Sequence, residues 1–160
     1  MANKTIEHPL LGKKAPAFSL KDETGTTRKL SEFKGKRLLL YFYPKDLTPG
    51  CTVEAQIFRD KIKDFKKLNT EILGVSCDDV ETHVKFIEKH KLNFSLLADT
   101  DKKLVEKFKV WVEKNMYGKK YMGIQRDSFL IDENGVIIKY YKKVKPKEHA
   151  AEVLKDLKAL

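Results

Sequence analysis

The sequence predicts an α/β protein in which a mixed central sheet is flanked by helices. Apolar runs of strand length alternate with segments whose apolar residues recur at helical spacing, a pattern typical of strand-helix-strand units. A later pair of strand-like runs is joined by Asn134-Gly135, a strong hairpin signal that indicates antiparallel strands. With 160 residues and 41% hydrophobic content, the chain has the size and apolar material of one core. We therefore expect a single domain over residues 1–160.

The first half of the chain predicts a hairpin, a buried strand and a helix. Phe18 to Leu30 is typical of an N-terminal β-hairpin, because two strand-like runs flank a polar turn around Gly25. Arg37 to Tyr43 is a continuous apolar run, which suits a strand covered on both faces of a parallel sheet. From Thr52 to Leu68 the apolar positions recur at helical spacing, so a helix should follow this strand.

The strand and helix alternation then repeats. Strands are predicted from Glu71 to Ser76 and from Phe94 to Asp99, and helices from Asp79 to Lys91 and over Lys102 to Phe108. Aspartates stand directly before both helices, where their side chains can cap the first free amides. Short connections between these elements favour a compact sheet with helices against it.

The last third predicts a hairpin and a C-terminal helix. Ser128 to Tyr141 consists of two β runs that meet at the turn from Glu133 to Gly135. Pro146 is expected to open an amphipathic helix that continues to Leu160, because the missing N–H of proline costs little at an early helical position.

The formal net charge of +10 has two interpretations, a nucleic-acid-binding surface or a solvated surface. Lysines are spread along the chain among acidic residues, and the densest basic run, Tyr140 to Lys147, is short and contains no nucleic-acid motif. We therefore do not expect a nucleic-acid partner. No apolar run approaches the roughly 20 residues that span a bilayer, and the first residues lack a signal-peptide pattern, so we expect a cytoplasmic protein without a membrane partner.

Cys51 is one of only two cysteines, and it follows a buried strand at the predicted start of a helix. A helix N-terminus carries free N–H groups and about half a positive charge, which favour a thiolate over a thiol. Pro44 and Pro49 stiffen the preceding loop, Gly50 permits close approach of the backbone, and the Thr48 hydroxyl can hydrogen-bond a small oxygen-rich ligand. An inert buried cysteine is the alternative, but this position favours a reactive thiol.

Residues 44–51, PKDLTPGC, match the P-x-x-x-T-x-x-C active-site motif of the peroxiredoxins. The longer stretch YFYPKDLTPGCTVEA resembles the PrxQ branch, also called bacterioferritin comigratory protein, and KKAPAFSLKDETG, ILGVSCDD, FSLLAD and GIQRDSFLIDENGVI resemble the family in the same order. The resemblance implies a thioredoxin-like fold. It also implies reduction of hydrogen peroxide or organic hydroperoxides through a peroxidatic cysteine, with no metal or organic cofactor.

By this resemblance, Cys51 matches the peroxidatic nucleophile, Pro44 and Thr48 match residues of its pocket, and Arg126 matches the active-site arginine. The chemistry agrees, since a permanent cation can hold a thiolate and hydrogen-bond a peroxide oxygen. Glu54 is typical of the PrxQ sequence T-x-E-A and is a possible supporting residue, although a glutamate in the first turn also complements the helix dipole.

The resemblance does not determine which thiol reduces Cys51 after its oxidation by the peroxide. Many PrxQ proteins carry a resolving cysteine five residues after the first, where this chain has Gln56. A resolving thiol must then be Cys77 or belong to another molecule. The ends of the predicted neighbouring strands would place Cys77 at the same edge of the sheet as Cys51, which favours its participation, and the alternative is a small filler at a strand end. A Cys51–Cys77 disulfide would require unwinding of the helix that carries Cys51. We expect thioredoxin or a similar thiol donor as reductant, and a monomer or weak dimer.

Other functional classes find less support in the sequence. The oxidisable thiol would also serve a non-enzymatic redox sensor or a chaperone-like protein, which is the main alternative to an enzyme. No C-x-x-C motif is present, which argues against a thioredoxin-type disulfide reductase. The four histidines have no spacing typical of metal ligands, so structural or surface roles are expected for His8, His83, His90 and His149.

Overall fold

The structure, a computed structural model, describes residues 7–160. The strands in this range are β1 (Ser19–Lys21), β2 (Thr27–Lys29), β3 (Arg37–Phe42), β4 (Thr70–Ser76), β5 (Ser95–Ala98), β6 (Trp111–Met116), β7 (Lys119–Ile124), β8 (Ser128–Ile131) and β9 (Ile137–Tyr141). The α-helices are α1 (Pro49–Asp60), α2 (Ile62–Lys67), α3 (Val80–His90), α4 (Lys103–Lys107) and α5 (His149–Lys158).

The central sheet has five strands in the order β5-β4-β3-β8-β9. β3, β4 and β5 are parallel, whereas β8 runs antiparallel to β3 and β9 antiparallel to β8. This arrangement confirms the mixed sheet, the N-terminal hairpin β1-β2 and the hairpin at Asn134-Gly135. The continuous apolar run that predicted a doubly covered strand is β3, which occupies the middle of the sheet.

The two faces of the sheet bury two separate apolar clusters, and β3 contributes to both. Its side chains alternate between a first cluster, which contains Leu38, Leu40 and Phe42, and a second cluster, which contains Leu39, Tyr41 and Tyr43. α4 packs into the first cluster, while α1, α2, α3 and α5 contribute side chains to the second. The helix that carries Cys51 therefore covers the second face.

Two helix boundaries differ from the prediction. The helix expected from Thr52 to Leu68 starts earlier, at Pro49, and is divided at Lys61, whose amide is shared between the carbonyls of Ile57 and Phe58. Apolar spacing reports which face is buried, and it continues across a local break in the helical backbone. The last helix begins at His149, not at Pro146, because residues 146–148 form a turn before it.

The hairpin β6-β7 was not predicted from the sequence. Tyr117 and Gly118 both have positive φ angles, 52° and 81°, as a two-residue turn with left-handed central residues requires. Most side chains of these two strands are exposed or half-buried. Because neither strand buries one full face, its sequence lacks the alternation of apolar and polar residues that predicts a strand. The Tyr-Gly pair is the one local signal that could have indicated it.

Aspartate caps fix the starts of two helices, as expected. The Asp79 side chain accepts a hydrogen bond from the amide of Thr82, and Asp99 accepts from the amides of Leu104 and Val105. Between residues 7 and 160, no helix is both long enough and apolar enough to cross a membrane.

Candidate active site

Cys51 lies where the carboxyl end of β3 leads through a loop into α1. The loop covers residues 43–48 and contains Pro44 and Thr48; Thr48 is the N-cap residue and Cys51 the third residue of the helix. The first intrahelical hydrogen bond runs from the amide of Thr52 to the carbonyl of Thr48, so the amide of Cys51 precedes it. The side chain of Cys51 is buried, with 1% of its residue surface exposed. The predicted position in the first helical turn is confirmed.

Arg126 reaches the start of α1 from the neighbouring strand β8. It lies in the short segment between β7 and β8, and because β8 is antiparallel to β3, its start lies at the carboxyl end of β3. A Cβ atom at Gly50 would stand 3.1 Å from Nη2 of Arg126, so glycine permits the guanidinium to pack against the helix start. Burial alone would lower the pKa of Arg126, but the negative charges of Glu54 and Cys51 raise it.

Glu54 completes this group from the next turn of α1. Nη1 of Arg126 donates a hydrogen bond to Oε1 of Glu54 at 3.0 Å, and the glutamate is only 1% exposed. The second carboxyl oxygen, Oε2, has no hydrogen-bond partner within the described residues. Burial raises the pKa of Glu54 to about 7, although Arg126 opposes the shift. Glu54 is thus a buried partner of Arg126.

Glu54→Gln is expected to make folding stability depend less on pH. The folded-state pKa of about 7 lies above the ordinary value of 4.5, so the folded protein binds a proton that the unfolded chain releases between these values. This stability is fully present below pH 4.5 and is lost as the pH rises through 7. The loss corresponds to about 3 kcal/mol at most.

Urea unfolding of wild type and variant at about pH 5 and about pH 8 checks this expectation. The free energy of unfolding should fall more with pH in the wild type than in Glu54→Gln. Glu88→Gln, which removes an exposed carboxylate from α3, controls for the loss of one surface charge. Equal pH dependence of wild type and Glu54→Gln would show that Glu54 does not titrate in this window.

The loop places Thr48 beside the start of α1. Its hydroxyl donates to the carbonyl of Lys45 at 2.8 Å and does not cap the helix, so its oxygen can still accept a hydrogen bond. Pro44 is half-buried at the beginning of the loop. Leu47 has a φ of 63°, a left-handed conformation that non-glycine residues rarely adopt. The loop is therefore held in a specific, strained conformation.

The loop is anchored by contacts that the sequence did not predict. Asp46, between Pro44 and Thr48, is buried, and its carboxylate lies 2.6 Å from Nδ1 of His83 in α3. His83 was expected to have a structural or surface role, and the structure places it in the interior against the motif loop. The sequence signal for this contact is weak. Helical spacing of the apolar residues can place a histidine on the buried face of α3, but it does not identify the residue to which that histidine bonds.

The structure does not place Cys77 next to Cys51. Cys77 follows β4 and packs against the first cluster, whereas Cys51 belongs to the second cluster, so the sheet separates the two free thiols. Burial, together with the charge of Asp99, raises the pKa of Cys77 to about 11. At neutral pH Cys77 is therefore a protonated thiol on the opposite face of the sheet.

An open groove of about 460 Å³ leads to Arg126. Its lining combines apolar side chains with basic ones, and includes Val112, Lys114, Tyr121, Arg126, Lys143 and Val144. Burial lowers the pKa of Lys114, and the charge of Arg126 lowers it further, which indicates that the two cations are close. Within residues 7–160, no group of three or more histidine, cysteine or acidic residues is suitable for a metal ion.

Comparisons with known proteins give a consistent result. Residues 11–140 match the AhpC/TSA family. The chain is 55% identical to peroxiredoxin Bcp of Bacillus subtilis over 154 residues, which cover 96% of each protein. It is 47% identical to peroxiredoxin Bcp of Escherichia coli K12 over 144 residues, 90% of this chain and 92% of the relative.

Solved structures show the same likeness. Peroxiredoxin Q of Xanthomonas campestris matches with a TM-score of 0.84 and 43% identity, over 89% of this chain and 90% of that one. Peroxidoxin BcpB of Mycobacterium tuberculosis matches with a TM-score of 0.84 and 33% identity, over 96% of this chain and 99% of the other. These similarities confirm the thioredoxin-like fold that the sequence resemblance implied.

Proposed function

Since the chain belongs to the AhpC/TSA family, among the Bcp and PrxQ peroxiredoxins, and is a thiol-dependent peroxidase, we propose that Cys51 is the residue that attacks the peroxide. The observation that carries this assignment is the position of Cys51 in the first turn of α1 with the Arg126 guanidinium against the same turn. The cation and the free amides of the helix start stabilise a thiolate. The similarity to peroxiredoxins over most of the chain favours the enzyme interpretation over the sensor or chaperone alternative.

The chemical step uses this arrangement directly. The Cys51 thiolate attacks one peroxide oxygen; an S–O bond forms and the O–O bond breaks. The other oxygen leaves with the electron pair and takes up a proton, giving water or an alcohol. Negative charge grows on the leaving oxygen, where Arg126 and the amide of Cys51 are available as donors. Thr48 orients the peroxide through the lone pairs of its hydroxyl, and Pro44 limits access of water to the sulfenic acid.

Glu54 is proposed to position Arg126. It holds one edge of the guanidinium through Nη1 and leaves Nη2 directed to the helix start beside Gly50. Because its hydrogen bond is made to Arg126, Glu54 acts through the arginine.

The substrate is hydrogen peroxide or an organic hydroperoxide. A solved relative, the Xanthomonas campestris bacterioferritin comigratory protein, is described in connection with alkyl peroxide reduction. In this chain the groove at Arg126 is open and contains Val112, Tyr121 and Val144, which suit the apolar part of an alkyl hydroperoxide.

For the second half of the cycle we propose a thiol from another molecule, thioredoxin or a similar dithiol, as the direct reductant of Cys51. The sulfenic acid condenses with this thiol to a mixed disulfide and releases water. A second thiol of the donor then displaces Cys51 and forms the donor's own disulfide. A reducing compartment such as the cytoplasm supplies these thiols, and a monomer or weak dimer leaves the site accessible. The position of Cys77 on the opposite face supports the one-cysteine cycle.

Mapping the oxidised cysteine tests the assignment. After one equivalent of hydrogen peroxide, a sulfenic-acid trap should label Cys51, and Cys77 should remain fully alkylatable in peptide mass spectrometry. Cys77→Ser should turn over at the wild-type rate with the thioredoxin system, because the second thiol is not needed. A Cys51–Cys77 disulfide, or loss of turnover in Cys77→Ser, would establish a two-cysteine cycle. Labelling at Cys77 instead of Cys51 would contradict the proposed nucleophile.

A further inference from the structure

We infer that Asp46 and His83 form a buried ion pair that holds the loop of residues 43–48 in the conformation needed for attack on the peroxide. His83 is thereby a positioning residue for the oxidation step, although it lies in α3, outside the motif. The inference rests on the proposed role of Cys51 as the peroxidatic cysteine.

Both ring nitrogens of His83 face acceptors. Nδ1 lies 2.6 Å from Oδ2 of Asp46, and Nε2 lies 2.9 Å from the carbonyl oxygen of Leu97 in β5. A carboxylate and a carbonyl can only accept, so each nitrogen must carry a proton and the ring is an imidazolium. Burial opposes this charge, but the hydrogen bond and charge of Asp46 outweigh burial and raise the pKa of His83. The side chains of both partners are completely buried.

Asp46 is held from three directions. The hydroxyl of Tyr43 donates to Oδ1 at 2.5 Å, His83 donates to Oδ2, and the backbone amide of Asp46 donates to Oδ2 of Asp78 at 2.9 Å. The hydroxyl of Ser76 donates to the same oxygen of Asp78 at 2.7 Å. The loop is thus braced internally by Tyr43 and tied to the end of β4 and, through His83, to α3 and β5.

The anchor acts next to the residues that meet the substrate. Asp46 lies two residues before Thr48, and Leu47 between them adopts the left-handed conformation at φ 63°. Such a conformation persists only where neighbouring contacts determine it. Without the ion pair, Leu47 can relax and Thr48 and the start of α1 lose their fixed position relative to Arg126.

The two halves of the cycle place opposite demands on this loop. Attack on the peroxide needs Thr48, Cys51 and Arg126 in fixed relative positions, so it is fastest with the loop closed. Cys51 is only 1% exposed, and a thiol reductant must reach its sulfur, so reduction of the sulfenic acid needs the loop to open. Loss of the anchor should therefore slow oxidation without slowing reduction, whereas general destabilisation would impair both steps.

His83→Gln tests the inference in single-turnover experiments. Glutamine is neutral and has only one donor group, so it cannot satisfy both Asp46 and the Leu97 carbonyl. We expect the rate constant for oxidation of Cys51 by hydrogen peroxide to fall about tenfold or more. Reduction of preformed sulfenic acid by dithiothreitol should be as fast as in the wild type or faster.

Asp46→Asn gives a second test if His83→Gln does not fold, because it keeps the size of the side chain and removes the charge. His149→Gln is the matched control. His149 is equally buried, and its ring nitrogens bond to Ser128 and Glu152, outside the loop, so both half-reactions should keep wild-type rates. Circular dichroism establishes that each variant is folded.

Oxidation at the wild-type rate in a folded His83→Gln or Asp46→Asn would overturn the inference. So would an equal slowing of both half-reactions, or the same slowing in His149→Gln. Failure of the proposed function looks different, because wild-type Cys51 itself would then not form a sulfenic acid.

Discussion

Replacing Cys51 with serine is expected to reduce catalytic consumption of peroxide to the uncatalysed background. Serine keeps the size and position of the side chain, but its hydroxyl does not ionise at neutral pH and cannot replace a thiolate as nucleophile. Enzymatic accelerations are typically at least about 10⁶-fold, so the loss should exceed any effect of the other variants. Peroxide remaining over time, with dithiothreitol as reductant, measures the effect.

The second cysteine provides the control for this experiment. Cys77→Ser makes the same chemical change at a half-buried thiol on the opposite face of the sheet and should retain the wild-type rate with dithiothreitol. Thermal unfolding should show that Cys51→Ser remains folded, since the change creates no cavity. Residual turnover in Cys51→Ser comparable to that of the wild type would require a different nucleophile.

Arg126→Ala should lower the rate constant for oxidation of Cys51 by about 10²- to 10³-fold, the usual cost of removing one preorganised donor from a site of developing charge. The variant should also lose stability. An arginine at the start of a strand would ordinarily matter little for folding, but the side chain of Arg126 is only 18% exposed and bonds to the buried Glu54. Its removal leaves the buried carboxyl of Glu54 without its charged partner, so the carboxyl takes up a proton or remains unpaired. Leaving such a buried polar group unsatisfied costs about 1–3 kcal/mol.

A double variant separates these two effects. Arg126→Ala with Glu54→Gln removes the unpaired carboxylate, so it should recover much of the free energy of unfolding while the oxidation rate stays low. Stopped-flow oxidation and urea unfolding on the same samples give both quantities. Recovery of the rate together with stability would mean that Arg126 acts through folding alone and not on the reacting atoms.

Local signals in the sequence were sufficient for most of the fold. The apolar run from Arg37 to Tyr43 predicted the central strand, and Asn134-Gly135 predicted the C-terminal hairpin. The hairpin depends on contacts between residues close in sequence, and the strand depends on burial of a continuous apolar segment. Both features can be recognised in the amino-acid sequence. The hairpin β6-β7 escaped prediction because its exposed side chains carry no such pattern.

The candidate site likewise contains some features that the sequence predicted and others that it did not. The sequence was enough to predict that Cys51 lies at a helix start after a buried strand. Its motif indicated Pro44 and Thr48 as neighbours, and the family resemblance of a later stretch indicated Arg126. Three features depend on the folded structure: Arg126 bonds to Glu54, 72 residues earlier, His83 bonds to Asp46, 37 residues earlier, and Cys77 lies on the other face of the sheet. Such pairings depend on strand order and on which face each helix covers, and a residue's immediate sequence carries neither.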